Sequence, residues 1–456
     1  GFEKEIERVE HRHFRHQIHL DHEFARRFEK DQACEKVRLG ILLPVEKVFS
    51  RRDPQGVAQD PGAGVGRRPE PYDLGTEVDQ AVVLVVGAMV EGDVDDSPAR
   101  IVANSGVSFQ GMIVLGMGFT FDGEAEAKGN ATSLSEMRRL IARDPSNAER
   151  IISYLGGEEV NTSPTHAHHR WCIDFNDFPL RRERMVRSLG SHEIEVTWAA
   201  MDALHRAQCR TMGIVPADYP EPVAEDWPDL IEIVRRLVKP ERDLQKRDAL
   251  RNRWWQYADK RPGLRAASAN LQRVIAINCG ATPHMAFTFL ETGTVWANSL
   301  ALITIDETTT YGALQSRVHE TWTRFFASSL KSDLRYGPSD CFETFPFPEV
   351  WRDEAALNTL TITYHEHRAA LMVARNEGLT KVYNRFQDRA ERSPDIIRMR
   401  DLHHELDRAV LHAYGWGDLK EAAAPEFLTD VSEADDRYQG RLFWPCLLYT
   451  SDAADE

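Results

Sequence analysis

The segment RNRWWQYADKR, residues 251–261, sets arginine and lysine beside large aromatic rings. Cationic side chains release counterions when they meet phosphates, and aromatic rings stack on or wedge against bases. Between Ile231 and Ile275 there are 12 Lys and Arg against 5 Asp and Glu, in a chain of 456 residues with a formal net charge of −16. A positive excess confined to one stretch of an acidic chain marks a surface for a polyanion. The candidate residues are Arg247, Arg251, Arg253, Trp254, Trp255, Lys260 and Arg261, with Lys331 and Arg335 farther along. Adjacent residues cannot both face inward on one helical stripe, so Trp254 and Trp255 are expected beside that surface. The competing reading is a solvated helix whose arginines pair with Asp243, Asp248 and Asp259.

Other chemistries are suggested more weakly. SFQGMIVLGMGFTF, residues 108–121, places Gly116 and Gly118 after an apolar run. A phosphate or cofactor loop needs a helix opening at the glycines, so that backbone N–H groups and the helix dipole face the ligand. Here Phe119-Thr120-Phe121 alternates like a strand and Asp122-Gly123 reads as a turn. The glycines are therefore expected at a bend or a close backbone approach. His13, His16, His19 and His22 recur at helical spacing, and His166, His168 and His169 lie in a polar loop. Neither group is taken as a metal site, because ligands must converge on one point. Asp122, Glu126 and Lys128 are the nearest approach to a metal-dependent nuclease set, but they crowd into one turn.

The six cysteines are scattered, with no CxxC pair, which suits a reducing cytoplasm better than a zinc ribbon. No apolar run approaches the ~20 residues of a membrane span, and the charged start is no signal peptide. The first ~98 residues lack hydrophobic period and stay unassigned, as a remnant of an upstream domain or a mistranslation. CLLYTSDAADE, residues 446–456, reads as a frame through a sequencing adapter and is set aside. The chain is thus expected to be a fragment.

Between these ends an α+β fold is expected. Strands are placed near 109–121, 171–175 and 273–305, and helices over 133–143, 230–238 and 311–326. Residues 328–348 read as a loop. After Pro348 the period changes from 2 to 3.6, giving helices over 355–376, closed by Gly378 as C-cap, and 394–414. The domains expected are a sheet-containing region, 99–348, and a helical region, 349–445.

NSGVSFQG, YLGGEEVNTSP, VKPERD, RWWQYADKRP, LQSRVHETWTRFFASSLKSDLRYGPSDCFETFPFP and NEGLTKVYNRF together resemble the downstream half of large fused adenine-specific DNA methyltransferases. These are the type IIG or MmeI-like restriction–modification enzymes and their phage-defence relatives. The resemblance implies a target-recognition domain followed by C-terminal helices, with double-stranded DNA and the parent enzyme's methyltransferase core as partners. It implies S-adenosylmethionine as the parent's cofactor and N6 methylation of a flipped adenine. The family's Asn-Pro-Pro-Tyr/Phe tetrapeptide and its donor-binding glycine loop do not occur in this sequence. No cofactor and no catalytic residue are therefore assigned to this chain. Asp333, Arg335, Tyr336, Asp340 and Cys341 are expected to fix the recognition fold rather than read bases. A self-contained metal-dependent nuclease and a purely structural module are the alternatives.

Overall fold

A computed structural model describes residues 99–444, apart from 128, 190–191, 328, 331–332, 349–350, 353, 421–422 and 430–437. The histidine series at 13–22, Lys128, Lys331 and the adapter-like end lie outside the described residues. The architecture is mixed α+β, with several small sheets and a helical C-terminal part. Compactness divides the chain along a different line from the change of period at Pro348. One unit holds Phe109–Val274 and Leu290–Leu302, and the other takes in Ile275–Phe289 and the chain from Ile303 onward. The boundaries fall at or within the strands Ser108–Gln110, Arg273–Asn278, Thr288–Glu291 and Leu300–Ile303.

In the first unit a sheet runs Val295–Trp296, Ile151–Leu155, Arg170–Ile173, Thr120–Phe121. The two central strands are antiparallel, with Ile151 opposite Ile173 and Tyr154 opposite Arg170. Alternation sets Phe121 and Ile173 on one face and Cys172 on the other, and all three are buried. Helix Pro228–Leu237 brings Leu230, Ile231 and Val234 onto the same core. Helix Leu134–Arg143 adds Met137 and Leu140, and starts where the Ser133 hydroxyl accepts from the Glu136 N–H at 3.0 Å.

The glycines of SFQGMIVLGMGFTF sit in this unit. Gly116 takes φ +128, open only to glycine, and a single 3₁₀ turn, Met117–Phe119, leads into the two-residue strand Thr120–Phe121. At Gly118 a Cβ would stand 2.5 Å from the Leu237 Cβ and 2.9 Å from its carbonyl carbon. Gly118 is thus the point where the chain passes against the end of helix Pro228–Leu237, as a close-approach glycine should. Gly118→Ala is expected to destabilise this unit by about 1–3 kcal/mol through forced backbone movement, measured by urea unfolding. An unchanged midpoint would show that the contact is soft.

The sequence reading passed over residues 181–216. They form a hairpin, Met185–Leu189 with His192–Val196, a short parallel pair, Arg181–Glu183 with Ile214–Pro216, and helix Ala203–Met212. Weak alternation and mixed charge hid the hairpin. The helix ends at Gly213 with φ +81, beneath the Trp255 ring.

In the second unit the helix expected over 311–326 is two helices, Thr308–Gln315 and Arg317–Phe326, parted at Ser316. The Arg317 N–H donates to Asp407 Oδ1 at 2.8 Å, so a carboxylate remote in sequence caps the second helix. The 328–348 stretch is not plain loop. It holds a ribbon, Ser329–Leu330 with Asp333–Leu334, and a π-helical turn, Pro338–Phe342. Helices Ala355–Arg375 and Pro394–Ala413 pack through Leu357, Tyr364, Leu371, Leu402, Leu406 and Val410. Gly312 lets the first helix approach Thr361, whose hydroxyl would be 2.1 Å from a Cβ there. Helix Ala355–Arg375 is closed by Asn376, at φ +50, while Gly378 is extended and opens helix Leu379–Gln387. Asparagine tolerates the left-handed region, so it took the role expected of the glycine.

Candidate nucleic-acid interface

The basic segment folds as short pieces. Helices Pro228–Leu237, Lys239–Asp243, Asp248–Asn252 and Pro262–Ser268 follow one another, joined by turns. Arg253 closes the third helix in a non-helical conformation. Because the chain leaves the helix there, the one-stripe restriction does not apply to the residues that follow. Both tryptophans are buried, Trp254 with 7 % and Trp255 with 1 % of its surface exposed. Trp255 Nε1 donates to the Phe178 carbonyl at 2.9 Å, and Gln256 Nε2 to the same oxygen at 2.8 Å. Tyr257 donates to the Ile173 carbonyl at 2.8 Å, and burial pushes its phenol well above the usual value. The rings expected beside the polyanion surface are core instead, which leaves none of the three free to stack on a base.

The cations separate into two groups. Arg251 donates to the carbonyls of Gln245 and Lys246 at 2.7 and 3.1 Å and pairs with Asp248. Lys260 pairs with Asp177 and donates to Gln256 Oε1 at 2.9 Å. Arg261 pairs with Asp259 at 3.2 Å and reaches the Gly111 carbonyl. The helical-pair reading thus holds for Arg251 with Asp248, and Lys239 takes Asp243. Arg247 is exposed and Arg253 half-buried, and neither guanidinium has a hydrogen bond or ion pair among the described residues. Beside them lies Leu244, 86 % exposed, a residue that sequence reasoning missed because a leucine in a helical stretch reads as core. Arg335 belongs to the other unit and is exposed.

Arg242 is fully buried within the segment. One Nη donates to the Val114 carbonyl at 3.0 Å and to the Gln256 carbonyl at 3.3 Å, and burial draws its pKa below the usual guanidinium value. It ties VKPERD to RWWQYADKRP from inside. Asp259 and Ile113 exchange both backbone hydrogen bonds, at 3.0 and 3.1 Å, fixing the second motif to the glycine segment. The motif YLGGEEVNTSP is also internal. Glu159 caps its own short helix at the Gly156 N–H and forks with Arg170 at 2.5 and 2.7 Å. Burial raises the Glu159 carboxyl, but Arg170 outweighs it and holds the pKa below the usual range. In the other unit Asn104 Nδ2 donates to the carbonyls of Phe342 and Phe345, joining NSGVSFQG to CFETFPFP. Most motif residues therefore hold the fold, which leaves the surface cations as the candidates for contact.

The other constellations stay apart. His166 meets the Val160 carbonyl, His168 stands against Trp171, and His169 lies 3.7 Å from Glu159. Asp122 accepts from the N–H groups of Glu124 and Ala125, so its carboxylate is committed to a helix cap. Among the described residues no three His, Cys, Asp or Glu side chains come together as a metal would require. No helix of the described residues is long and apolar enough to cross a membrane.

Comparison with known proteins gives three findings. The family model "MmeI, target recognition domain" matches residues 230–349. DNA methyltransferase A of Bacillus subtilis (strain 168) is 40 % identical over 127 residues, covering 26 % of this chain and 13 % of that protein. A structure of the type IIL restriction–modification enzyme MmeI in complex with DNA aligns over 72 % of this chain and 35 % of that one, at 15 % identity and a TM-score of 0.44. The chain thus spans a small part of each relative. The matched stretch holds the basic segment, the Arg317 helix and the FETFPFP turn together: residues 230–349 carry the sequence of an MmeI-type target recognition domain.

Proposed function

We propose that this chain grips and reads double-stranded DNA, as the recognition part of a site-specific adenine-N6 methyltransferase of the restriction–modification kind. The observation that carries the reading is a match to a recognition domain over the one stretch where an acidic chain turns basic, by 12 cations to 5 anions between Ile231 and Ile275. Phosphate contacts by surface cations would position the duplex, and base-edge contacts would select the sequence. The adenine would then be swung out of the stack into the parent's methyltransferase core. The sequence contains no Asn-Pro-Pro, so no methyl transfer is assigned to this chain alone. Labelled methyl from S-adenosylmethionine appearing in DNA would refute that part.

The test of the whole reading is titration with duplex DNA at two salt concentrations. Binding should weaken steeply with salt, and Arg247→Ala with Arg253→Ala should flatten the log–log slope by about one unit per lost phosphate contact. Cleavage of the duplex on adding a divalent metal would favour the nuclease alternative. Absence of both binding and cleavage would leave a structural module.

A further inference from the structure

Two buried polar atoms of the second unit have no hydrogen-bond partner among the described residues, and the residues that carry them line one cavity. The first is Arg317 Nη2. The rest of that guanidinium is committed, since Nε donates to the Leu442 carbonyl at 3.1 Å and Nη1 pairs with Asp407 and stands 2.9 Å from His403 Nδ1. The side chain is 1 % exposed, so bulk solvent does not complete it. The second is His284 Nδ1. The other ring nitrogen, Nε2, stands 2.7 Å from Asn384 Oδ1. That oxygen only accepts, so the ring proton belongs on Nε2. Burial draws the pKa of the ring down to about 4, and at neutral pH Nδ1 therefore holds a bare lone pair.

The cavity measures about 10 Å³, which is room for one water-sized occupant. That occupant must accept a hydrogen bond from a guanidinium and donate one to an imidazole lone pair. A metal cation is repelled by Arg317. A halide suits the guanidinium but has no proton for Nδ1. It would also meet the Glu320 carboxylate, which pairs with Arg324 at 2.6 Å and lines the same cavity. Water is neutral, has one heavy atom, and both donates and accepts. His284, Arg317 and Glu320 lie within the stretch that matches the recognition domain, whereas Tyr383, His403 and Arg441 line the cavity from the chain that follows it.

We infer that this cavity is a binding site for one ordered water, held between Arg317 Nη2 and His284 Nδ1, which joins the recognition stretch to the C-terminal part of the chain. The inference goes beyond the DNA-recognition reading and does not rest on it.

The test counts long-lived waters in the full chain by oxygen-17 magnetic relaxation dispersion. His284→Leu removes the acceptor and should lower the count by one. Asn384→Ala removes only the Nε2 partner, from an exposed position, and should leave the count at the wild-type value. In a crystal of the wild-type chain, density for a single atom should lie about 2.7–3.2 Å from both Arg317 Nη2 and His284 Nδ1. That crystal decides the matter if the leucine variant fails to fold. The inference is overturned by an unchanged count in a natively folded His284→Leu chain, or by a crystal in which Arg317 Nη2 donates to a protein acceptor. It is also overturned if bromide, at constant ionic strength, raises the unfolding midpoint saturably in the wild type and not in His284→Leu. Mass action would then assign the cavity to an anion. None of these readouts depends on DNA binding.

Discussion

Asp407→Ala should cost about 3–5 kcal/mol of stability, the usual result of leaving a buried charge unpaired. Arg317 has 1 % and Asp407 none of its side chain exposed, and they pair at 2.5 Å. Arg317 Nε also donates to the Leu442 carbonyl at 3.1 Å, and the Nη1 that pairs with Asp407 stands 2.9 Å from His403 Nδ1. Asp407 caps the helix that Arg317 begins, so alanine removes a counter-ion and a helix cap at once. Urea unfolding followed by circular dichroism measures the loss. Asp407→Asn keeps an acceptor for the cap and should cost less than alanine. Equal stability of wild type and Asp407→Ala would mean that the guanidinium finds water or another acceptor. The recognition match ends at residue 349, yet its arginine is neutralised from residue 407. A shortened chain ending there should expose an unpaired buried charge and fold poorly.

Acid should act on the same unit. Burial disfavours the Asp407 carboxylate, but Arg317 and His403 outweigh it and hold its pKa below the usual range. Its contribution is present above the unfolded carboxylate pKa and disappears as the pH falls through the lower folded value. His319 is fully buried, and burial draws its pKa down to about 3, while His284 falls to about 4. The unfolded chain protonates these rings near pH 6.5 and the fold does not. Stability should therefore drop from about pH 6.5 downward, by up to ~1.4 kcal/mol per pH unit for His319. His319→Gln should flatten that part of the profile.

Trp255→Ala should be the most damaging change in the basic segment, costing about 3–5 kcal/mol as large aromatic truncations in cores do. The indole is almost wholly buried, donates to the Phe178 carbonyl, and fills the space above Gly213, where a Cβ would lie 2.2 Å from its Cη2. Thermal unfolding should register the loss whether or not DNA is present. The contrast is Arg247→Ala, which should leave the unfolding midpoint within about 0.5 kcal/mol of wild type while reducing DNA affinity. A Trp255→Ala chain of unchanged stability but weakened DNA binding would return the ring to the interface and overturn its place in the core.

The sequence by itself determined the elements whose signals are local. Period, caps and breakers placed helix Leu134–Arg143 after Ser133, the strand at Arg170–Ile173 and the two long helices after Pro348, Ala355–Arg375 and Pro394–Ala413, but not the short Leu379–Gln387 between them. Local charge marked the basic segment, and the alternation after Gly118 placed the strand Thr120–Phe121. Tertiary structure decided what depends on residues distant in sequence. The helix break at Ser316 is fixed by Asp407, and the close approach at Gly118 by Leu237. Neither partner lies within the window that a helical or strand period spans. The fate of the tryptophans turned on the conformation of Arg253, since one residue leaving the helix frees its neighbours from the helical stripe. The same reason separated the cations. Arg247 and Arg251 read alike in the sequence, and only folding gave one of them Asp248 and two carbonyls and left the other open.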